Sequence, residues 1–106
     1  MTMTPSQAAI YTRLVAAAKA IGPCTEDPKK TSIHLTRKSA FAGVATRKDA
    51  LLLTIKSAVD INSPRIIKHE RASAHRWHLV VRLDDPNQVD GELKSWLRDA
   101  MALSSS

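Results

Sequence analysis

The fold is decided by one stretch near the C-terminal end of the chain, His75-Arg76-Trp77-His78-Leu79-Val80-Val81-Arg82-Leu83. Apolar and polar side chains alternate along it with a period of two, which is the pattern of a β-strand with one buried face. The apolar face holds Trp77, Leu79, Val81 and Leu83. The stretch therefore predicts a strand that packs on a core with one face and presents a basic surface with the other.

Three further segments have the same period and are rich in branched or apolar side chains: residues 31–37, 41–46 and 51–56. The short links at residues 38–40 and 47–50 favour hairpins between them. Residues 57–74 are harder to assign, because the turn at Asn62-Ser63-Pro64 is followed by a segment, 66–71, that fits either a short strand or a loop.

The period changes to 3.6 at both ends of the chain. Thr4 and Pro5 are typical of a helix start, and apolar residues then recur at three- and four-residue spacing as far as Gly22-Pro23. Asp85-Pro86 predicts the start of a second amphipathic helix, with Gln88 completing a capping box. The run 104–106 is expected to be a frayed tail.

These elements predict a single α+β domain over residues 1–106, with its core at about residues 5–103. We expect a four-stranded, mainly antiparallel sheet with the N- and C-terminal helices packed on one face. Alternation then places a polar and basic set of side chains on the other face, with Leu52 and Val80 among them: Ser32, His34, Thr36, Thr54, Lys56, Arg76, His78 and Arg82.

Positive charge is concentrated in the middle of the chain. Residues 29–82 contain twelve Lys or Arg residues against three Asp or Glu, a local net charge of +9, whereas the whole chain carries +6. A local positive field attracts anions, which include nucleic acids, phosphorylated ligands and acidic protein surfaces.

The sequence lacks the motifs of the common enzyme classes. It has no glycine-rich phosphate loop, no serine nucleophile elbow and no pair of carboxylates placed for acid–base chemistry. His75 and His78 are three residues apart, so on one strand their rings face opposite sides, and no metal or cofactor is predicted. A single cysteine, Cys24, and the lack of a signal or membrane segment favour a cytoplasmic protein.

The candidate ligand site lies on the basic face of the predicted sheet. Arg76 and His78 point the same way on one strand, so a guanidinium and an imidazole can meet one phosphate or carboxylate. His34 joins them if its strand is a neighbour, and Lys30, Lys48 and Arg65 are expected at the rim. The alternative is an exposed face whose charges only prevent aggregation.

A series of short motifs, in order along the chain, resembles an uncharacterised bacterial family, the domain of unknown function fifty-six fifty-five. The segments that carry the resemblance are residues 30–34, 41–44, 48–53, 73–78, 89–93 and 96–97. The resemblance covers about residues 8–103, adds Ser73 to the candidate site and implies no activity. A more distant likeness is to the YjbR family, whose members look like DNA-binding folds, although here Trp77 follows His75 by two rather than three residues.

We therefore expect a small, noncatalytic binding module whose open sheet face holds nucleic acid or a phosphorylated ligand. Two alternatives remain open. One is a small enzyme that uses His34 or His78 as a general base. The other is a homodimeric structural subunit that pairs through a sheet edge or through Leu52 and Val80.

Overall fold

The computed structural model describes residues 2–105, which form two helices and one sheet. The elements in chain order are α1 (Pro5–Ile21), β1 (Thr25–Pro28), β2 (Ile33–Thr36), β3 (Ala40–Arg47), β4 (Ala50–Ser57), β5 (Ile66–Ser73), β6 (Arg76–Leu83), a 3-10 turn (Pro86–Gln88) and α2 (Gly91–Ser105). All neighbouring strands are antiparallel, in the order β1-β2-β3-β4-β6-β5. In this part of the chain no helix is both long and apolar enough to cross a membrane.

Both helices cover the same face of the sheet, and the core fills the space between. The strands contribute alternate residues to it, among them Leu35, Leu53 and Leu79, which are fully buried. α1 contributes Ile10, Leu14, Ala17 and Ala18, and α2 contributes Leu93, Trp96, Leu97, Ala100 and Met101. The predicted inward and outward faces of the strands are confirmed by this burial pattern, and the opposite face of the sheet is left open.

The N-terminus of α1 is tied to the hairpin between β3 and β4 through Gln7. Thr4 caps the helix, because its hydroxyl accepts a hydrogen bond from the Gln7 backbone N–H at 3.2 Å while Gln7 Oε1 accepts one from the Thr4 N–H at 2.9 Å. The buried Gln7 amide nitrogen also donates to the carbonyl oxygens of Arg47 and Ala50. These bonds fix the end of β3, and so help to set the position of the open face.

The α+β class and the two helices on one face agree with the prediction, but the sheet has six strands rather than four. The two additional strands are the edges: β1, which was not predicted, and β5, whose segment 66–71 was left open between a short strand and a loop. β1 reads Thr-Glu-Asp-Pro and has no apolar alternation, and β5 is exposed at every position after Ile66. An edge strand that covers no core carries no hydrophobic period, so the usual sequence signal is weak.

The second helix also begins later than predicted. Asp85 and Gln88 do form a capping box, but it caps the start of a 3-10 turn, and α2 starts only at Gly91. At the other end the predicted fraying is wrong for residue 104, because α2 continues through it and Ser104 is only 2% exposed. Ser104 Oγ lies 3.1 Å from Ser39 Oγ, so it is held against the loop before β3. Ser106 lies outside the described residues.

Candidate functional site

A depression of about 270 Å³ lies on the open face of the sheet, over β3. Its floor contains Gly43 and Ala45, which face outward on β3 and carry almost no side chain. The flanking strands, β2 and β4, lie about 10 Å apart across β3. We call this cavity the sheet depression; it exists because β3 leaves its outer face bare between two strands that carry longer side chains.

The wall on the β2 side contains Ser32 and His34. His34 is paired with Gly43 across the sheet, and a Cβ atom built on Gly43 would lie 3.6 Å from His34 Cδ2 and 4.0 Å from its Nε2. The imidazole therefore leans over the floor of the depression. On its other side His34 is paired with Asp27, whose carboxylate is bound to Lys29 at 2.8 Å.

The opposite wall is formed by β4 and β6 and contains Thr54, Lys56 and His78. Lys56 is paired with His78 across the two strands, so their side chains stand next to each other. Lys56 Nζ lies 3.5 Å from Ser39 Oγ, and His78 Nδ1 lies 3.9 Å from Glu70 Oε1 on β5. The two walls together present hydroxyl, imidazole and ammonium groups to one small volume.

The cations of the open face differ in how far they are neutralised. Lys68 is bound to Glu70 at 3.7 Å and Arg82 to Asp84 at 2.8 Å. Within residues 2–105 the side chains of Lys56 and Arg76 have no carboxylate partner: Lys56 reaches only the Ser39 hydroxyl, and Arg76 donates to the His75 carbonyl oxygen at 2.8 Å. The charge that remains available to a ligand is therefore at Lys56, in the depression, and at Arg76, beside it on β6.

The structure brings together some of the predicted site residues and separates others. His34 and His78 line opposite walls of the sheet depression, and Arg76 lies two residues before His78 on the same strand. Ser73 is paired with Arg76 at the outer edge of the sheet. Lys30 lies in the turn between β1 and β2, and Lys48 in the turn between β3 and β4, so neither lines the depression.

Arg65 does not line the sheet depression either, because its side chain is bound at the start of α2. Its guanidinium donates to Asp90 at 3.0 Å, to Glu92 at 3.0 Å and to the Gln88 carbonyl oxygen at 2.7 Å, and it lies 5.5 Å from the centre of the Trp96 ring. We call these contacts the arginine clamp. Arg65 is thus a cation whose charge is used within the fold.

The clamp shifts the pKa values of its charged groups. Burial lowers the pKa of Arg65, but the hydrogen bonds and charges of Asp90 and Glu92 outweigh it, so the net shift is upward. The pKa of Asp90 is held below its ordinary value, first by the backbone N–H of Leu93 and then by Arg65. Both shifts favour the charged forms, and so they favour the ion pair.

Two other groups with shifted pKa values lie near β1, away from the depression. Burial raises the pKa of the Tyr11 hydroxyl, which also donates to Glu26 at 2.5 Å. Burial is likewise the main reason that the pKa of the Cys24 thiol is raised, so this thiol is a poor nucleophile at neutral pH. Among the described residues no three His, Cys, Asp or Glu side chains are grouped closely enough to hold a metal ion.

Several residues that line the sheet depression were not among the predicted ligand-binding residues. Gly43, Ala45 and Ser32 line it, as do Thr54 and Lys56. Alternation had placed Ser32, Thr54 and Lys56 on the correct face. Their convergence on one cavity depends on the cross-strand register, in which Gly43 faces both His34 and Thr54.

Comparison with known families finds a match over almost the whole chain. The family described as Domain of unknown function (DUF5655) matches residues 4–104. The chain belongs to this family. The predicted resemblance to this family is thereby confirmed, and the match extends from the cap of α1 to the last turn of α2, so it includes both walls of the sheet depression. No curated protein and no solved structure matches the chain.

Proposed function

We propose that this protein is a noncatalytic binding module and that the sheet depression holds a small phosphorylated ligand. The observation that carries the proposal is the cavity over Gly43, with His34 on one wall and, on the other, Lys56, which has no carboxylate partner among the described residues. An ammonium group, imidazole N–H groups and hydroxyls are the donors that phosphate oxygens accept from. We further propose that it acts in the bacterial cytoplasm.

The size of the depression favours a small ligand over a nucleic acid. Its volume of about 270 Å³ is near the lower end of the range for small-molecule pockets. Proteins that bind single strands on an open sheet stack the bases on exposed aromatic rings. Here Phe41 is 1% exposed and Trp77 packs against the core, so neither offers a stacking surface.

The contacts of the two histidines favour binding over catalysis. Among residues 2–105, neither His34 nor His78 forms a hydrogen bond to a serine, threonine, tyrosine or cysteine side chain, so no nucleophile–base pair is formed in the depression. They belong to β2 and β6, which are separated by β3 and β4, so the two rings stand on opposite sides of a ligand. This arrangement suits two donors that hold one anion.

The test is an NMR titration of isotope-labelled protein with inorganic phosphate, a sugar phosphate and a nucleoside monophosphate. We expect amide shifts centred on His34, Gly43 and Thr54 with at least one of them. Gly43→Leu should abolish the shifts, because its side chain fills the floor and residue 43 lies in a regular strand with no positive φ. Lys56→Met should weaken binding by about tenfold.

Lys68→Met is the matched control, because Lys68 lies on the same face but outside the depression and is already paired with Glu70. If Gly43→Leu binds as the wild type does, or if Lys68→Met weakens binding as much as Lys56→Met, the proposed site is wrong. Folding of each variant is checked by circular dichroism.

Nucleic acid remains an alternative ligand because of the distant YjbR likeness, and a further variant, Arg76→Ala/His78→Ala, separates it from small ligands. Labelled duplex and single-stranded DNA and RNA are titrated at low and near-physiological salt. One outcome is that the protein binds only these polymers, with an affinity that falls steeply as salt rises and in Arg76→Ala/His78→Ala. That result would mean that the ligand is a nucleic acid and not a small phosphorylated molecule.

A homodimer formed through β5 is the second candidate. β5 is an edge strand, and among the described residues its Ile67 side chain is one of two large apolar side chains that are exposed, at 56%. Sedimentation equilibrium over a range of protein concentrations tests it. We expect Ile67→Lys to shift any dimer to monomer, and a wild type that stays monomeric at millimolar concentration would exclude it.

A further inference from the structure

A second cavity lies on the opposite side of the molecule, between the outer faces of the two helices. It has a volume of about 370 Å³, which makes it larger than the sheet depression. Arg13, Ala16, Ala17 and Ala20 of α1 line one side, and Lys94 and Arg98 of α2 line the other. We call this cavity the helix groove. The sheet and the core separate it from the sheet depression.

The three cations of the helix groove have no counter-charge. Within residues 2–105, the side chains of Arg13, Lys94 and Arg98 form no ion pair and no hydrogen bond, and no Asp or Glu lines the cavity. Near the start of α2, Asp90 and Glu92 are bound to Arg65. Asp99, which adjoins Arg98 on α2, does not line the groove and forms no ion pair among the described residues. The groove is therefore a strongly positive surface that the fold itself does not neutralise.

The spacing of the cations on α2 is unfavourable for the isolated helix. Lys94 and Arg98 are four residues apart, so they are neighbours on one face, and like charges at this spacing destabilise a helix by about 0.2–0.5 kcal/mol. Arg13 adds a third positive charge from α1, across the groove. An anionic partner would relieve this repulsion.

The floor of the groove is apolar, in contrast to its walls. Ala16 and Ala20 are exposed and Ala17 is 8% exposed, so methyl groups rather than polar atoms lie between the cations. A phosphate or a nucleic acid backbone gains nothing from an apolar floor. A peptide gains from it when an apolar side chain fills the space above the alanines and acidic side chains flank it.

We infer that the helix groove binds an acidic amphipathic helix of a partner protein. Leucine-sized side chains of that helix lie on the alanine floor, and its carboxylates contact Arg13 on one side and Lys94 and Arg98 on the other. Carboxylates four residues apart on the partner match the four-residue spacing of Lys94 and Arg98. The chemistry thus selects both an apolar seam and acidic flanks.

The experiment is selection from a displayed library of helical peptides of about five turns, with randomised residues at the seam and on both flanks. Peptides are selected on the wild-type protein and counter-selected on Lys94→Glu/Arg98→Glu. Peptides that survive should carry apolar residues in the seam and Asp or Glu on the flanks. By fluorescence anisotropy, the double substitution should weaken them by tenfold or more, roughly the effect of losing two charge contacts.

Lys68→Glu/Arg71→Glu is the matched control, because it makes the same change in net charge on β5, away from the groove. Binding should be unchanged in this control and should be weakened in Ala20→Gln, which fills the floor. A library that yields no binder, peptides without acidic flanks, or equal loss in the control would each overturn the inference. DNA or phosphate binding that Lys94→Glu/Arg98→Glu removes, without peptide binding, would also overturn it.

Discussion

Arg65 and Lys56 are both cations of the basic middle segment, but their surroundings differ. Arg65 is enclosed by two carboxylates, a backbone carbonyl oxygen and the Trp96 ring, and its side chain is 24% exposed. Among the described residues the Lys56 side chain has a single weak contact, to the Ser39 hydroxyl, and it stands beside an open cavity. The comparison shows that two cations of one basic segment are used differently, since Arg65 joins parts of the fold and Lys56 has no carboxylate partner among the described residues.

The difference between Arg65 and Lys56 has a structural reason. Arg65 follows the turn at Ser63-Pro64, at the start of β5, where it reaches the 3-10 turn and the first turn of α2. The carboxylates there also satisfy the start of α2, since Asp90 Oδ1 accepts a hydrogen bond from the Leu93 backbone N–H at 3.0 Å. The clamp joins the edge strand to the helix layer, whereas Lys56 makes one long contact, to Ser39 in the loop before β3, and has no carboxylate partner among the described residues.

The largest effect is expected at the clamp. Arg65→Met should destabilise the protein by about 2 kcal/mol, because hydrogen bonds to charged groups and the contact with Trp96 are lost together. Lys56→Met should change the unfolding free energy by less than about 0.5 kcal/mol, as is usual for a surface substitution. Urea unfolding followed by circular dichroism measures both. Equal stability of the two variants would remove the distinction between them.

A smaller effect is expected from a change of pH in the acidic range, through the carboxylate of Asp90 in the clamp. The folded pKa of Asp90 lies below its ordinary value of 3.8. Its stabilising contribution is therefore complete above that value and is lost as the pH falls through the lower, folded pKa. The difference in stability between the wild type and Asp90→Asn should be largest near neutral pH and should shrink in this acidic range. A difference that grows as the pH falls would contradict the assignment. Urea midpoints over a pH series provide the measurement.

The sequence predicts the layers of this fold better than its edges. The period-two pattern of residues 75–83 identified β6 and its buried face, because the strand covers a core on one side. Thr4-Pro5 identified the start of α1 for a similarly local reason. β1 and β5 lack such a pattern, since their positions depend on hydrogen bonds to neighbours that are set by the tertiary structure.

The candidate site was predictable as a face but not as a cavity. Alternation put His34, Lys56 and His78 on the same side of the sheet, and the structure agrees. The position of Gly43 between His34 and Thr54 follows from strand register, which the sequence does not reveal. Arg65 was grouped with the rim because net charge gives no information about which carboxylates a cation meets.

The smallest effect is expected in the helix groove, and it tests whether the unpaired positive charges there lower the stability of the fold. Lys94→Glu replaces the repulsion between Lys94 and Arg98 by an attraction in the favourable order, with the acidic residue first, near the start of α2. We expect the unfolding free energy to rise by about 0.5 kcal/mol, and Lys94→Gln, which only removes the repulsion, to give about half of that. Thermal and urea unfolding measure the change, with Lys68→Glu as the control for net charge. A loss of stability in Lys94→Glu would mean that Lys94 has a structural role. A gain in stability, together with loss of binding to the acidic peptide, would show that this surface is maintained for binding rather than for folding.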